Sequence, residues 1–192
     1  GAPISNGVSW CPGLTIFDTN TANIEKGLLF PYNQSTAIYR CPTDRSRVRT
    51  LDGEELPLPR TRSYNMNGTL ACSPTWWVPT YRQYSEMIDP PPSKVFVFIE
   101  VHEDGIFDAH FGIGSTNNHF YLNHWGDLPA DRHRRGINLS FADGHLETHR
   151  WAVAGPNGTV RPPREGGASG GFPAIPPTDY DWLKVRSSNR RP

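Results

Sequence analysis

The stretch KVFVFIEV, Lys94–Val101, constrains the fold more than any other part of the chain. From Val95 to Ile99 no polar residue interrupts the Val/Phe/Ile run. A strand built there has no face that tolerates water, so it predicts a central strand with cover on both sides. Such a strand needs neighbours, and the chain supplies them. SYNMNGTL (63–70) has the alternation and Asn-Gly step of a strand running into a loop. GINLSFA (136–142) and HLETHRWAV (145–153) alternate as two arms of a hairpin joined by Asp143-Gly144, a dipeptide that suits the primed turns.

Helical signals are brief by comparison. In DTNTANIEKGLLF (18–30), Asn20 or Thr21 can cap, Glu25 falls in the first turn, and Ile24, Leu28 and Leu29 share a face before Pro31. That pattern predicts two to three turns. A second short helix is expected about Tyr81–Ile88, ahead of three prolines, and a last helical turn in TDYDWLKVRSSNRRP (178–192). STAIYRCP (35–42) reads as a short apolar segment, and the charged stretch 43–62, with Asp52-Gly53 inside it, as a surface hairpin or excursion. AGPNGTVRPPREGGASGGFPAIPP (154–177) predicts no regular structure, which makes 155–178 a Gly/Pro-rich loop within one domain spanning 1–192. The expected class is therefore α+β: a small antiparallel β-sheet with few short helices and long loops. The 18 glycines and 19 prolines, against 36% hydrophobic residues, fit a modest core under much loop.

Nineteen basic residues balance nineteen acidic ones, so nothing in the charge points to a nucleic-acid partner. No apolar run approaches the roughly 20 residues that cross a bilayer, and the opening GAPISNGVSW has no signal-peptide pattern. Cys11, Cys41 and Cys72 form no CxxC pair, which argues against a structural zinc site. All three pairings, and none, remain open for them.

Two polar clusters carry the candidate chemistry. Glu100, His102, Glu103, Asp104 and Asp108 follow directly from the buried strand. His133, Asp143, His145, Glu147 and His149 flank or occupy the hairpin. If alternation continues, Glu100 and His102 point one way, and His145, Glu147 and His149 share another face. Carboxylates and imidazoles so grouped suit a divalent metal, zinc or calcium, with Glu100, His102, Glu103, His133, Asp143 and His145 as candidate ligands. The plain alternative is a solvated sheet face, with Asp143 present for its turn. Trp76, Trp77 and Tyr81 are a candidate aromatic platform for a sugar or a surface, or else packing residues.

His133, nine intervening residues and then Asp143-Gly144 resemble the H-x9-DG signature of prepilin-processing-associated, pilin-like proteins. These are relatives of type IV pilins and type II secretion pseudopilins. NTANIEKGLLFPY, IYRCPTDRS, RSYNMNG, PSKVFVFIEVHED, FADGHLETHRW and DYDWLKVRSSNR are similar to the same group, in the same order, over most of 19–190. The resemblance implies a head domain in which a long apolar N-terminal helix packs on an antiparallel sheet, with a leader trimmed by a prepilin peptidase. That helix has no counterpart here, so the chain is expected to be a monomeric head cut from a longer precursor. It further implies a periplasmic or cell-surface location, other pilin-like subunits as partners through the missing helix, and calcium as the ion that orders loops in related pseudopilins. The leading functional expectation is a structural filament subunit. Its rivals are a secreted metal-dependent hydrolase acting on polysaccharide, and a carbohydrate- or surface-binding module.

Overall fold

Phe96–Glu100 is the middle strand of five in the computed structural model, which describes residues 8–70, 80–113, 124–152, 172–173 and 178–187. The strands in chain order are β1 (Arg47–Arg49), β2 (Glu55–Pro59), β3 (Tyr64–Asn67), β4 (Phe96–Glu100), β5 (His110–Phe111), β6 (His124–Trp125), β7 (Gly136–Phe141), β8 (Leu146–Arg150) and β9 (Phe172–Pro173). The main sheet runs β5-β3-β4-β7-β8. Its junctions are antiparallel except β3–β5, which is parallel, so the sheet is mixed. The charged stretch forms the β1–β2 hairpin, and β6 pairs with β9. Helices α1 (Ala22–Glu25), α2 (Phe30–Asn33) and α3 (Thr178–Lys184) are short. The fold is α+β, with strands prevailing.

Both faces of β4 are covered, by different parts of the chain. On one side Phe96 and Ile99 join Phe111, Ile137, Leu139, Phe141, Trp151, Tyr180 and Leu183 in the main core. A shift in the β4–β7 register between Phe96 and Phe98 interrupts strict alternation along the strand. On the other side Phe98 meets Trp10 edge-on at 5.0 Å, and Trp10 stacks on Tyr39. Ile24 and Cys11 belong to that second, smaller cluster. α3 closes the main core by placing Tyr180 against Trp125, with ring centroids 5.2 Å apart. Asn67 then ties the C-terminal turn to β3. Its amide donates to the carbonyls of Phe96 and Ser187, and its oxygen accepts from the Thr69 amide, so no polar group of this buried side chain is wasted.

Several local expectations are corrected. The first helix is a single turn: the Leu28 amide leaves the helical ladder for the Ser9 carbonyl, and Gly27 lies so close to the Trp10 carbonyl that no Cβ fits. Leu28 consequently faces solvent. Pro31 sits in the first turn of α2 and opens a helix instead of ending one, as its fixed φ and missing N–H allow. STAIYRCP contains a 3-10 turn at Thr36–Tyr39, and only Tyr84–Glu86 is helical, again 3-10, within 81–88. Within the Gly/Pro-rich stretch, Phe172–Pro173 is nevertheless a strand. The β7–β8 turn is not primed, for only Gly144 has positive φ (92°). The Gly144 amide donates to the Phe141 carbonyl and the Phe141 amide to that of His145, which is the three-residue hairpin with a left-handed glycine.

Candidate functional site

Glu100 ends β4 with its side chain fully buried (0% exposed). An ionised carboxylate in that position costs several kcal/mol unless it is paired. Arg132 supplies the pairing. Its Nη1 lies 3.2 Å from Glu100 Oε1 and donates to the Val101 carbonyl at 2.9 Å. Its Nη2 reaches Glu103 Oε2 at 3.1 Å and Asp44 Oδ1 at 3.5 Å. The second oxygen of Glu100 is served differently. His133 Nε2 is 2.9 Å away as an ion-pair contact, and Oε2 makes no hydrogen bond of good geometry. Cys41 Sγ lies 3.6 Å from the same imidazole nitrogen. The donor atoms of Cys41, Glu100 and His133 all fall within 4.8 Å of one another.

Local structure delivers each of these groups. Cys41 follows the 3-10 turn, and its amide donates to Ser63 Oγ, which in turn donates to Asp44 Oδ2 at 2.5 Å. The Asp44 amide closes the Cys-Pro-Thr-Asp turn onto the Cys41 carbonyl. His133 is presented by two successive left-handed residues, Arg134 (φ 54°) and Arg135 (φ 66°). Non-glycine residues are uncommon in that region, and each costs about 1–2 kcal/mol. The Arg135 amide donates to the Asp131 carbonyl, and the Trp151 amide to that of Arg135, so the neighbouring β8 end holds the strained turn in place.

The site's electrostatics follow from burial. For Asp44, burial works against ionisation, but Arg132 and hydrogen bonds from Ser63 and Ser46 outweigh it and hold the carboxyl below the usual range. The Cys41 thiol moves the other way, pushed up by burial and by Glu100 although Thr43 opposes. Tyr64, opposite Glu100 in the β3–β4 register, is likewise pushed up, by burial first and then by Glu100 and Cys41. A thiol kept protonated is a poor nucleophile. Moreover, Cys41 and Glu100 converge on one nitrogen of His133, whereas a nucleophile–imidazole–carboxylate relay uses the two nitrogens separately. Three donors converging on one point is instead a cluster able to hold a metal ion.

Of the residues expected to act together, the structure unites Glu100 and His133, and brings in Glu103 through Arg132. His102 is buried beside them, its Nδ1 accepting from the Asp104 amide and its Nε2 3.6 Å from Glu103 Oε2. Asp143 and His145 are elsewhere. β7 separates the two parts of H-x9-DG, since His133 precedes its first residue and Asp143 follows its last. Six residues of strand span about 17 Å, so His133 does not reach the hairpin turn. There Asp143 Oδ1 and His145 Nδ1 pair with each other at 2.6 Å, and His145 stacks on Phe141. Glu147 and His149 do share a half-buried face of β8, but His149 stacks on Trp182. Tyr81 is buried, so it offers no exposed platform; Trp76 and Trp77 lie outside the described residues. Cys11 and Cys41 are both free thiols, and Cys72 too lies outside the described residues.

Sequence reasoning missed Cys41, Asp44 and Arg132. The only signal for the cysteine was its place in a Cys-Pro-Thr-Asp turn, 92 residues from the imidazole it meets. It also missed a second polar cluster at the β5 edge. There His110 Nδ1 contacts Asp108 Oδ1 at 2.6 Å, and Asp127 accepts from the Gly112 amide at 2.6 Å. The chain has no match among protein-family models, curated proteins or solved structures. Among the described residues, no helix is long and apolar enough to cross a membrane.

The β5-edge cluster generates a pH prediction. Burial chiefly pushes the Asp127 carboxyl up to about 7. For His110, burial works downward, but Asp108 outweighs it and the imidazole is raised. Between about pH 4, where an ordinary aspartate ionises, and about 7, the folded chain keeps a proton on Asp127 that the unfolded chain has lost. Stability therefore falls as pH rises through that window, and His110 acts in the same direction above its ordinary value. Urea midpoints at pH 5 and pH 8 should show the wild-type protein weakening and Asp127→Asn weakening less. An equal drop in both contradicts this assignment.

Proposed function

We propose that the chain is the extracytoplasmic head of a pilin-like or type II secretion pseudopilus subunit, acting by assembly and not by turnover. The observation that carries this reading is where the family-like segments meet. IYRCPTDRS provides Cys41 and Asp44, RSYNMNG provides Ser63 and Tyr64, PSKVFVFIEVHED provides Glu100 and Glu103, and the H-x9-DG stretch provides His133. Segments far apart in the sequence are joined at one centre whose charged groups face each other, which suits a clasp that shapes a head domain. The raised thiol and the shared imidazole nitrogen leave no side chain of that centre poised as a nucleophile.

In this reading the partners are other pilin-like subunits, engaged through an apolar helix encoded upstream of Gly1, and the head works in the periplasm or at the cell surface. Of the two ions expected, zinc suits the centre better than calcium, because sulfur and imidazole donors favour it while calcium takes oxygen ligands.

The gene upstream of the Gly1 codon tests the proposal. A short basic leader followed by roughly 20 apolar residues is the expected result. A cleavable secretory signal ending at Gly1, or a start codon with no apolar segment, overturns it.

A further inference from the structure

We propose that Cys41, Glu100 and His133 together bind one zinc-class ion, with three protein ligands and solvent in the fourth position. The inference goes beyond the filament-head reading and does not depend on it.

The geometry of the cluster is close to what such an ion needs. With Zn–S near 2.3 Å and Zn–N near 2.0–2.1 Å, a tetrahedral angle sets sulfur and nitrogen about 3.6 Å apart. Cys41 Sγ and His133 Nε2 are 3.6 Å apart. The same arithmetic puts an imidazole nitrogen and a carboxylate oxygen about 3.4 Å apart, against 2.9 Å here. Binding thus opens the nitrogen–oxygen contact by about 0.5 Å and leaves the sulfur–nitrogen one as it is, with the sulfur and the carboxylate oxygen within 4.8 Å of each other.

Three further observations point to a ligand. Glu100 Oε2 is buried and makes no hydrogen bond of good geometry; what surrounds it is the His133 Nε2 at 2.9 Å and the Cys41 thiol, both metal-ligating groups. Three carboxylates, Asp44, Glu100 and Glu103, stand against two guanidiniums: Arg132, which pairs with all three, and Arg60, whose charge acts on Asp44 and Glu103 while its hydrogen bonds go to the carbonyls of Arg47 and Glu103. A divalent cation offsets that excess. Finally, an outer shell is in place. Arg132 holds the other oxygen of Glu100, and Thr43 Oγ1 lies 3.0 Å from Cys41 Sγ, where it can donate to a thiolate. His133, 29% exposed, gives solvent a route to the fourth position.

On binding, the Cys41 S–H bond breaks, its proton goes to solvent, and the thiolate forms the bond to the metal. His133 binds through the Nε2 lone pair with its proton on Nδ1, and Glu100 binds through Oε2. The ion then links the loop after the first 3-10 turn, the end of β4 and the turn before β7. As a ligand of the folded state alone, it raises stability in proportion to the logarithm of its free concentration.

The test uses the intact chain under reducing conditions, with Zn2+ and Co2+ as probes. The expected result is one equivalent of metal, a zinc-dependent rise in Tm, and a thiolate-to-cobalt charge-transfer band. The band should vanish in Cys41→Ser and persist in Cys11→Ser. Losing an outer-shell partner typically costs 10–100-fold in affinity, so losing a ligand through His133→Gln should weaken zinc more than about 100-fold. Absence of the cobalt band in the wild-type protein overturns the proposal without recourse to any variant. So does a band that survives Cys41→Ser, or zinc affinity unchanged in His133→Gln. Each of these leaves the filament-head reading standing, since the upstream gene decides that separately.

Discussion

The carboxylate of Glu100, taken fully out of water at the end of the central strand, sets the terms for the rest of the molecule. Its position is inherited from β4, whose apolar run must be covered on both faces. Once there, it needs a cation and further polar partners or the strand cannot end where it does. Arg132 is the cation. Because one guanidinium has several N–H donors in a plane, it also gathers Glu103, Asp44 and the Val101 carbonyl. The loop carrying Cys41 and Asp44 and the turn carrying His133 are thereby located by a charge at the sheet's centre, although their own sequences have little tendency to regular structure.

β7 acts as a spacer between two different tasks. At its start, a pair of left-handed arginines aims His133 at Glu100. At its end, Asp143 and Gly144 turn the chain into β8, with a side-chain pair between Asp143 and His145 and a glycine in the left-handed region. The nine residues between His133 and Asp143 contain one six-residue strand, so the spacing of the motif is the length of a strand rather than the footprint of a single site. The two ends of the motif answer to different physical demands: backbone conformation at Gly144 and side-chain chemistry at His133.

Much of the sheet was legible in the sequence because its signals are local. An uninterrupted Val/Phe/Ile run and two alternating arms around Asp143-Gly144 located β4, β7 and β8. The β1–β2 hairpin was visible in Asp52-Gly53, where Gly53 has φ 88°. What could not be read there depends on contacts between distant segments. α1 stops after one turn where the Leu28 amide donates to the Ser9 carbonyl and Gly27 packs on the Trp10 backbone, tertiary contacts that no helix pattern contains. The parallel β3–β5 pair joins two residues to a strand more than 40 positions earlier. At the candidate site, Glu100 and His133 stood out as residue types, but the partners that define the site did not. Arg132 looked like one arginine among a basic run, and Cys41 like one thiol of three. Conversely, alternation grouped His102 with Glu100, but the main-sheet strand ends at Glu100, and beyond it local turn geometry decides where side chains go.

The pairing of Glu100 with Arg132 holds the site together, and a double-mutant cycle measures that pairing directly. Glu100→Gln, Arg132→Met and the combined variant keep the side-chain volumes close while removing charge from one partner, the other, and both. Groups in one buried network couple by about 0.5–3 kcal/mol, and this pair, with Glu100 fully buried, should lie in the upper part of that range. The combined variant should then be markedly more stable than the sum of the two single losses allows. Additivity within about 0.5 kcal/mol would contradict the account, because Glu100 would then be held in place by something other than Arg132.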